Sequence, residues 1–291
     1  MALGIIANGD RDIDFAFSKK AAALIHACGE KAIVDCSFAD TSLGRDENIT
    51  IASYEDCSLI FCIGGDGTLL AAVHDHYTKE IPFIGVNLGS IGFLTEIQPD
   101  QFPEALQRII SGDYEVEKRI QLYVSHFDKN RRLKSEGVCM NDVAVARGAQ
   151  LNIFSTDMFV DGDHVERLSG DGIVISTPTG STAYSLAAGG PIVKPELDLF
   201  LLTPICPHTL HNRSYVVKDT SIVELRLADF AHAPVLALDG RKYSDIDPYD
   251  RVVVKKAESP MTIACLGYQN FYQTIRQKIH ARGSFYEDEQ K

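Results

Sequence analysis

The sequence predicts an α/β N-terminal domain with a mainly parallel sheet, followed by a β-rich antiparallel C-terminal domain. In the first part, short apolar runs such as residues 59–63 alternate with helical patterns, as in sheets with helical crossovers. From about Tyr114 onward, apolar and polar residues alternate with a period of two. A length of 291 residues leaves room for two domains, which we expect at 1–115 and 116–267.

The first domain is built from alternating strands and helices. Apolar residues at helical spacing over 17–28 predict a helix, which Gly29 closes. Four apolar runs predict strands, at 3–7, 32–34, 59–63 and 81–86. In parallel sheets, ligands bind beyond the carboxyl ends of the strands, and we expect Asp66 and Asn87 there.

The second domain shows the two-residue period of antiparallel strands. Residues 120–124 and 223–227 alternate strictly between apolar and polar side chains. Further strands of this domain are predicted at 235–238, 252–254 and 261–263, and a last helix at 271–279.

Composition excludes several classes of protein. A formal net charge of −12 argues against nucleic acid or an anionic membrane surface as a partner. Seven scattered cysteines without a Cys-x-x-Cys pair argue against a disulfide framework or a zinc site, and they fit a reducing cytoplasm. The short apolar start lacks the basic leader of a signal peptide, and no run reaches the length of a membrane span.

The chain is organised around the sequence Gly-Gly-Asp-Gly-Thr at 64–68, between a predicted strand and a predicted helix. Glycines here let the backbone approach a ligand, and the N–H groups that open a helix favour phosphate. The carboxylate of Asp66 would repel phosphate. It therefore works with a metal, acts as a base or orienting group, or merely caps its helix.

A second motif indicates the family. Gly-Gly-Asp-Gly-Thr resembles a signature of NAD kinases, 6-phosphofructokinases and diacylglycerol-type lipid kinases. Residues 171–184, Asp-Gly-Ile-Val-Ile-Ser-Thr-Pro-Thr-Gly-Ser-Thr-Ala-Tyr, resemble an NAD kinase motif that the other two groups lack. The chain thus resembles a bacterial-type NAD kinase from about Leu59 to about Gly267.

This resemblance implies an activity and its partners. The reaction would be phosphoryl transfer from ATP or inorganic polyphosphate to the 2′-hydroxyl of the adenosine ribose of NAD. Asp66 would orient and deprotonate that hydroxyl, while Mg²⁺ or Mn²⁺ would neutralise the donor phosphates; the sequence identifies no metal ligands. Relatives are homo-oligomers, tetramers or dimers, with sites completed across an interface, and residues 268–291 would pack back on the first domain.

The resemblance also implies substrate contacts around both motifs. Gly65, Gly67 and Thr68 would border the phosphate. Asn87 lies in a Gly-x-Asn-x-Gly-x-x-Gly-Phe-Leu run, where plain turn chemistry is the alternative. Asn141 would contact the nicotinamide-side ribose, with a plain turn or strand end as the alternative for Asn141 and Asp142. The family usually has Glu where Asp142 stands, so this shorter side chain would reach through a water.

Other residues of the second domain complete the implied site. Thr182, Ala183 and Tyr184 would line the adenine and nicotinamide subsites, unless the hydroxyls only cap a helix. Asp171 would reach NAD, from a neighbouring subunit in some relatives. Ala187 replaces a common Ser. Asp239 and Arg241 would border the site, with an ordinary hairpin as the alternative; Arg241 stands where Gln is common and would pair with a phosphate.

Two other functions stay open on the residues alone. A lipid or sugar kinase would share the glycine turn, but it would lack the motif at 171–184. A non-catalytic nucleotide-binding regulator would have no need of an intact Asp66.

Overall fold

A computed structural model describes residues 1–76, 81–89, 92–148, 153–209, 212–228, 230 and 233–283. The chain divides into two compact units. The first comprises residues 1–118 and the described residues from 262 onward, and the second comprises residues 119–261. The domain bounds predicted from the sequence stay predictions. They are 1–115 and 116–267, with 268–291 packing back on the first domain.

Twenty strands and five α-helices are described. The strands are β1 (Ala2–Ala7), β2 (Lys31–Val34), β3 (Ile49–Ile51), β4 (Leu59–Gly64), β5 (Phe83–Asn87), β6 (Thr95–Ile97), β7 (Glu115–Arg119), β8 (Leu122–Phe127), β9 (Leu133–Cys139), β10 (Asp142–Arg147), β11 (Phe154–Val160), β12 (Asp163–Gly170), β13 (Gly172–Ser176), β14 (Leu199–Ile205), β15 (Tyr215–Lys218), β16 (Val223–Leu227), β17 (Pro234–Leu238), β18 (Arg241–Asp245), β19 (Arg251–Lys256) and β20 (Met261–Cys265). The helices are α1 (Ala16–Ala27), α2 (Asp66–His76), α3 (Phe102–Ile110), α4 (Tyr184–Ala187) and α5 (Phe271–Gly283).

The first unit contains an eight-stranded sheet. Its strands follow the order β3-β2-β1-β4-β5-β20-β7, and β6 also pairs with β5. The pairs from β3 across to β20 run parallel, as does the pair of β5 with β6. The predicted mainly parallel sheet is confirmed. Its central strands β4 and β5 are buried along their whole length, which explains why they are continuous apolar runs.

One strand prediction is wrong. The sequence predicts that residues 261–263 form a strand of the antiparallel domain, but β20 joins the parallel sheet, where Ile263 lies opposite Phe83 of β5. Four of its five residues are buried, and a short run of that kind does not reveal its partner strand. In this unit, helix α3 and strands β3, β6 and β7 are also absent from the sequence prediction.

Helices α1 and α3 cover the sheet with apolar faces. Ala21, Ala22 and Ile25 of α1 and Leu106 and Ile109 of α3 join the strand side chains in one core cluster. Cys28 ends α1, and Gly29 follows with φ of 81°, the conformation expected of the glycine that closes a helix.

The second unit is a sandwich of two six-stranded sheets. One has the order β15-β14-β13-β10-β17-β18, and the other has the order β12-β11-β16-β19-β8-β9. All ten neighbouring strand pairs in these two orders are antiparallel. The alternating strands bury every second residue, so that Val124 and Leu225 of one sheet share a core with Val143 and Ile173 of the other. The predicted antiparallel domain is confirmed.

Two further findings concern the whole described chain. All seven cysteines are free thiols. None of the helices within the described ranges is both long enough and apolar enough to cross a membrane.

Candidate active site

The glycine turn connects β4 to α2 and is closed by a threonine. The N–H groups of Thr68 and Leu69 donate to the carbonyl oxygen of Gly65, which begins the helix. The hydroxyl oxygen of Thr68 accepts from the N–H of Gly65 and from the side-chain amide of Asn8, both at 3.3 Å. Thr68 therefore joins this turn to the loop that follows β1.

The backbone of the turn is open to a ligand. A Cβ atom added to Gly65 or to Gly67 would meet no heavy atom within 4 Å. Space on this side, next to the first N–H groups of the eleven-residue helix α2, suits an anionic group.

The carboxylate of Asp66 binds a backbone segment rather than capping its own helix. Its Oδ1 accepts from the N–H groups of Leu94 and Thr95, at 3.0 and 3.2 Å, and more weakly from the Thr95 hydroxyl at 3.4 Å. Its Oδ2 accepts from the N–H of Phe93 at 2.7 Å. The sequence offers capping, catalysis and metal binding as roles for Asp66, whereas this anchoring contact with residues 93–95 depends on tertiary structure and has no mark in the sequence.

Gly92 makes that contact possible. A Cβ atom at this position would lie 1.9 Å from Asp66 Oδ1 and 2.3 Å from the Thr95 hydroxyl oxygen. Only glycine lets the segment approach so closely. Gly92 belongs to the run from 85 to 95 in which the sequence analysis placed Asn87; Ser90 and Ile91 of that run lie outside the described residues.

Two cations beside Asp66 escaped the sequence analysis. The Lys278 ammonium of α5 lies 3.7 Å from Asp66 Oδ2 and 4.2 Å from the centre of the Phe93 ring. Arg11, in the loop after β1, lies over Gly89, where an added Cβ atom would be 2.6 Å from its Nη1. Neither residue belongs to a motif, and only the tertiary fold brings them to the glycine turn.

Asn87 supports a turn and also lines the site. Its side-chain Nδ2 donates to the carbonyl oxygen of Gly89 at 3.0 Å, and its Oδ1 accepts from the N–H of Gly89 at 3.1 Å. Both ends of the amide thus hold the turn that follows β5. The two interpretations offered by the sequence, turn chemistry and site lining, are therefore compatible.

These residues surround a cleft of about 280 Å³. It lies at the carboxyl ends of β4 and β5, where open α/β sheets bind ligands. Its walls are polar and carry both charge signs. They are formed by Asn8, Arg11, Gly65, Asp66, Gly67, Thr68, Asn87, Gly92 and Lys278. We call it the Asp66 cleft.

In the second unit, Asp239 anchors the turn that contains Asn141 and Asp142. Asp239 and Gly240 join β17 to β18 with φ of 48° and 76°, as a two-residue hairpin of type I′ requires. The Asp239 carboxylate accepts from the N–H groups of Met140, Asn141 and Asp142, at 2.9, 2.7 and 3.1 Å. The hairpin interpretation of this segment therefore holds, and its aspartate positions the Asn141-Asp142 turn.

Asp142 is a buried carboxyl group. Its side chain accepts the backbone N–H of Tyr184, and only 3% of the residue is exposed. Burial raises the pKa of Asp142 to about 7, and the negative charge of Asp239 adds to the rise. With a pKa of about 7, both the neutral and the ionised forms of the carboxyl group are populated near neutral pH, and the neutral form can donate a hydrogen bond.

Tyr184 lies in the field of two carboxylates, Asp142 and Asp171. Burial raises the pKa of the Tyr184 phenol, and those two charges raise it further. Asp171 itself forms an ion pair with Arg147, with Nε 3.0 Å from Oδ1. Arg147 is a third cation that the sequence analysis missed. Asn141, Asp142, Asp171, Tyr184 and Asp239 thus form one cluster.

The remaining predicted residues lie on the same unit. The Thr182 hydroxyl donates to the carbonyl oxygen of Thr179 at 3.4 Å. This hydrogen bond lies within the helical turn Thr179–Thr182. The N–H of Ala183 donates to the carbonyl oxygen of Gly180. Ala187 ends the short helix α4 and is exposed, as is Arg241 at the start of β18. The substrate contacts predicted for these four residues stay predictions.

A metal at the Asp66 cleft would have one carboxylate of the protein as a ligand, that of Asp66. Within the described ranges, no group of three or more His, Cys, Asp or Glu side chains is placed to hold an ion. The Asp66 cleft offers one carboxylate, whose oxygens already accept three backbone N–H groups. Mg²⁺ is commonly bound by one or two carboxylates together with substrate phosphates.

Comparison with known proteins gives the family. The chain matches the ATP-NAD kinase N-terminal domain over residues 3–114 and the ATP-NAD kinase C-terminal domain over residues 140–265. It is 34% identical over 281 residues to an NAD kinase of Ruminiclostridium cellulolyticum, covering 96% of this chain and 98% of the relative. It is 35% identical over 279 residues to an NAD kinase of Methanothermobacter thermautotrophicus, covering 96% of each chain.

Solved structures agree. A crystal structure of yeast NADH kinase complexed with NADH matches with a TM-score of 0.86 and 26% identity, over 98% of this chain and 89% of that one. An NAD kinase from Archaeoglobus fulgidus, in complex with ATP, shares the fold with a TM-score of 0.75 at 23% identity, over 95% of this chain and 99% of that one. The two matched domains and the relatives that span nearly the whole chain show that this protein belongs to the ATP-NAD kinase family, and that it is a kinase.

Proposed function

We propose that this chain transfers the terminal phosphoryl group of ATP or of polyphosphate to the 2′-hydroxyl of the adenosine ribose of NAD, producing NADP. The observation that carries the proposal is the Asp66 cleft, which combines one carboxylate, two cations and an open glycine backbone. Phosphoryl transfer needs all three: a proton acceptor, positive charge and room for phosphate.

The donor phosphates would lie on the glycine turn. The open faces of Gly65 and Gly67 and the N-terminus of α2 would receive them, and the side chains of Arg11 and Lys278 would neutralise their charge. These two cations give a strongly acidic chain a locally basic wall. A divalent ion, Mg²⁺ or Mn²⁺, would arrive with the donor phosphates and would supply further charge neutralisation.

Asp66 would accept the proton through Oδ2. Two oxygens of a carboxylate offer about four lone pairs. Oδ1 already has three donors, whereas Oδ2 has the Phe93 N–H and faces Lys278 at 3.7 Å. The acceptor hydroxyl would therefore approach Oδ2 from the side of Lys278, and the ammonium would move toward the phosphates.

In the proposed transfer step, one bond to phosphorus forms, one breaks, and Asp66 takes up the proton. A bond forms between the 2′-oxygen of NAD and the terminal phosphorus, while the bond from that phosphorus to its bridging oxygen breaks. The hydroxyl proton passes to Asp66, and the shortened phosphate chain leaves with the bridging oxygen. In this scheme, Asp66 and the two cations contribute mainly by position and charge, as is usual for phosphoryl transfer.

The resemblance to NAD kinases assigns the recognition of NAD to residues of the second-unit cluster. Asn141 and Asp142 would contact the nicotinamide-side ribose, and Tyr184 with Thr182 and Ala183 would line the base subsites. The neutral form of Asp142 would donate a hydrogen bond to a ribose oxygen, while its ionised form would accept one.

One assay tests the proposal. Purified protein is mixed with NAD, MgCl₂ and either ATP or polyphosphate, and the product is measured with a dehydrogenase that accepts NADP but not NAD. ³¹P NMR of the product identifies the phosphorylated oxygen. We expect a 2′-phosphate. Phosphorylation of another hydroxyl, or of a sugar or diacylglycerol in place of NAD, would contradict the proposal.

A further inference from the structure

The ammonium of Lys278 has two partners beside the Asp66 cleft. It lies 3.7 Å from Asp66 Oδ2 and 4.2 Å from the centre of the Phe93 ring. The Lys278 side chain is 27% exposed and that of Asp66 is 28% exposed, so water screens the pair in part. A separation of 3.7 Å is close enough for an ion pair but longer than a hydrogen bond. The ammonium is therefore attracted to Asp66 without being fixed there.

Helix α5 and Phe93 keep the ammonium in this place. The Phe93 ring lies 6.4 Å, centre to centre, from the ring of Phe271, the first residue of α5. Phe271 and Lys278 are seven residues apart and so lie on the same face of the helix. The attraction between the ammonium and the Phe93 ring adds to the ion pair. The backbone N–H of Phe93 donates to the same Asp66 oxygen, Oδ2, at 2.7 Å.

The position of Lys278 conflicts with that of an acceptor hydroxyl. A carboxylate offers about four lone-pair sites, and Oδ1 of Asp66 already accepts from three donors in residues 94 and 95. Oδ2 accepts from the Phe93 N–H, and its other side faces the ammonium. A hydroxyl that donates to Oδ2 has to come where Lys278 lies. Lys278 and the hydroxyl therefore compete for one oxygen.

A polyanion in the cleft shifts this competition. The ammonium of a lysine sits on a flexible four-carbon stem, so it can turn toward a more highly charged partner. Lys278 and Arg11 line the cleft together with the open backbone of Gly65 and Gly67. A chain of phosphates there carries several negative charges against the single charge of Asp66, and it attracts the ammonium more strongly. Movement of the ammonium leaves Oδ2 open.

We propose that Lys278 gates Asp66: its ammonium blocks Oδ2 until a polyanion in the cleft draws it away, so that the polyanion and the acceptor hydroxyl bind cooperatively. This inference rests on the proposed function and deepens it, because it names how the site is regulated. Toward the hydroxyl, Lys278 is a positioning residue, since it acts through Asp66. The coupling is reciprocal, so NAD also tightens the binding of the polyanion.

The test measures the affinity for NAD with and without a polyanion. Calorimetric titrations give Kd for NAD alone and in the presence of saturating methylenediphosphonate, whose P–C–P bridge prevents phosphoryl transfer. We expect the diphosphonate to tighten NAD binding about 3- to 10-fold, as suits the loss of one partly exposed ion pair and one ring contact. An NAD analogue with 2′-deoxyadenosine should show no tightening, because it has no hydroxyl to compete for Oδ2.

Variants of Lys278 separate gating from a structural role. Lys278→Met removes the charge and should bind NAD alone about 3- to 10-fold more tightly than the unaltered protein, with no further gain from the diphosphonate. A merely structural role predicts weaker binding instead. Lys278→Arg keeps a cation and should retain the dependence. Lys20→Met removes an exposed ammonium from α1 and should behave like the unaltered protein. Circular dichroism checks that each variant is folded.

Three results would overturn the gate. They are a diphosphonate that does not bind or does not change Kd for NAD, a Lys278→Met variant that binds NAD no more tightly than the unaltered protein, and equal tightening of the 2′-deoxy analogue. These titrations are independent of the NADP assay. A protein that forms the 2′-phosphate without the coupling keeps the proposed function and loses the gate, whereas a protein that binds NAD cooperatively but phosphorylates another hydroxyl contradicts the proposed function.

Discussion

Asp142→Asn should make the protein more stable at high pH. The carboxyl group has an ordinary pKa of 3.8, which burial and the charge of Asp239 raise to about 7 in the folded protein. Below about pH 4 the group is protonated in both the folded and the unfolded chain. Between about pH 4 and pH 7 the unfolded chain loses the proton while the folded protein keeps it, so the free energy of unfolding falls as pH rises.

The magnitude follows from the two pKa values. Each pH unit between them is worth about 1.4 kcal/mol, so the full penalty approaches about 4 kcal/mol at pH 8. Asparagine cannot ionise, and its side-chain oxygen can still accept the Tyr184 N–H. Relative to the unaltered protein, the variant should gain nothing near pH 4 and a few kcal/mol at pH 8.

Urea unfolding followed by circular dichroism at pH 4 to 9 measures this gain. Asp163→Asn, at an exposed position on β12, serves as the matched control and should show a flat difference across the same range. A stability difference for Asp142→Asn that does not grow between pH 4 and pH 7 would refute the reasoning. It would mean that the carboxyl group ionises as easily in the folded protein as in the unfolded chain.

Three other predictions test the site. Gly92→Ala places a methyl group 1.9 Å from Asp66 Oδ1, so it should displace residues 93–95. We expect kcat/KM for NADP formation to fall at least about 10-fold. Normal kinetics would show that the contact between Asp66 and residues 93–95 does not matter for catalysis. Ala183→Leu should raise the KM for NAD by steric exclusion, and an unchanged KM would place the base subsite elsewhere. EDTA should abolish turnover and Mg²⁺ or Mn²⁺ should restore it, whereas full activity in EDTA would argue against a metal-bound donor.

Local signals made much of the fold predictable. The strand, glycine turn and helix around Asp66 are contiguous in sequence, and each has its own pattern of apolar residues or glycines. The Asp239-Gly240 hairpin also depends on two adjacent residues whose backbone preferences are known. The two-residue period predicted the antiparallel strands for the same reason.

Long-range contacts were not predictable from such patterns. The strand at Met261–Cys265 has no local mark that distinguishes a parallel partner from an antiparallel one. Lys278 reaches Asp66 from 212 residues further along the chain, and Arg11 approaches from the loop after β1. The anchoring of residues 93–95 by Asp66 likewise depends on tertiary contact.

That anchoring changes what a substitution of Asp66 does. Asparagine replaces one carboxylate oxygen with an N–H₂ group, which would face one of the backbone N–H donors of residues 93–95. An unsatisfied donor costs about 1–3 kcal/mol, more than the loss of a simple helix cap suggests. Activity of this variant must therefore be measured together with its folding and its affinity for NAD.

The measurement that tests the central claim most directly is kcat for NADP formation by Asp66→Asn, at saturating NAD and ATP and at a temperature where the variant is folded. If Asp66 accepts the hydroxyl proton in the cleft, kcat should fall by about 10²–10⁴-fold, while Kd for NAD changes only a few-fold. A variant that forms NADP at close to the unaltered rate would contradict the account, because another group would then activate the hydroxyl.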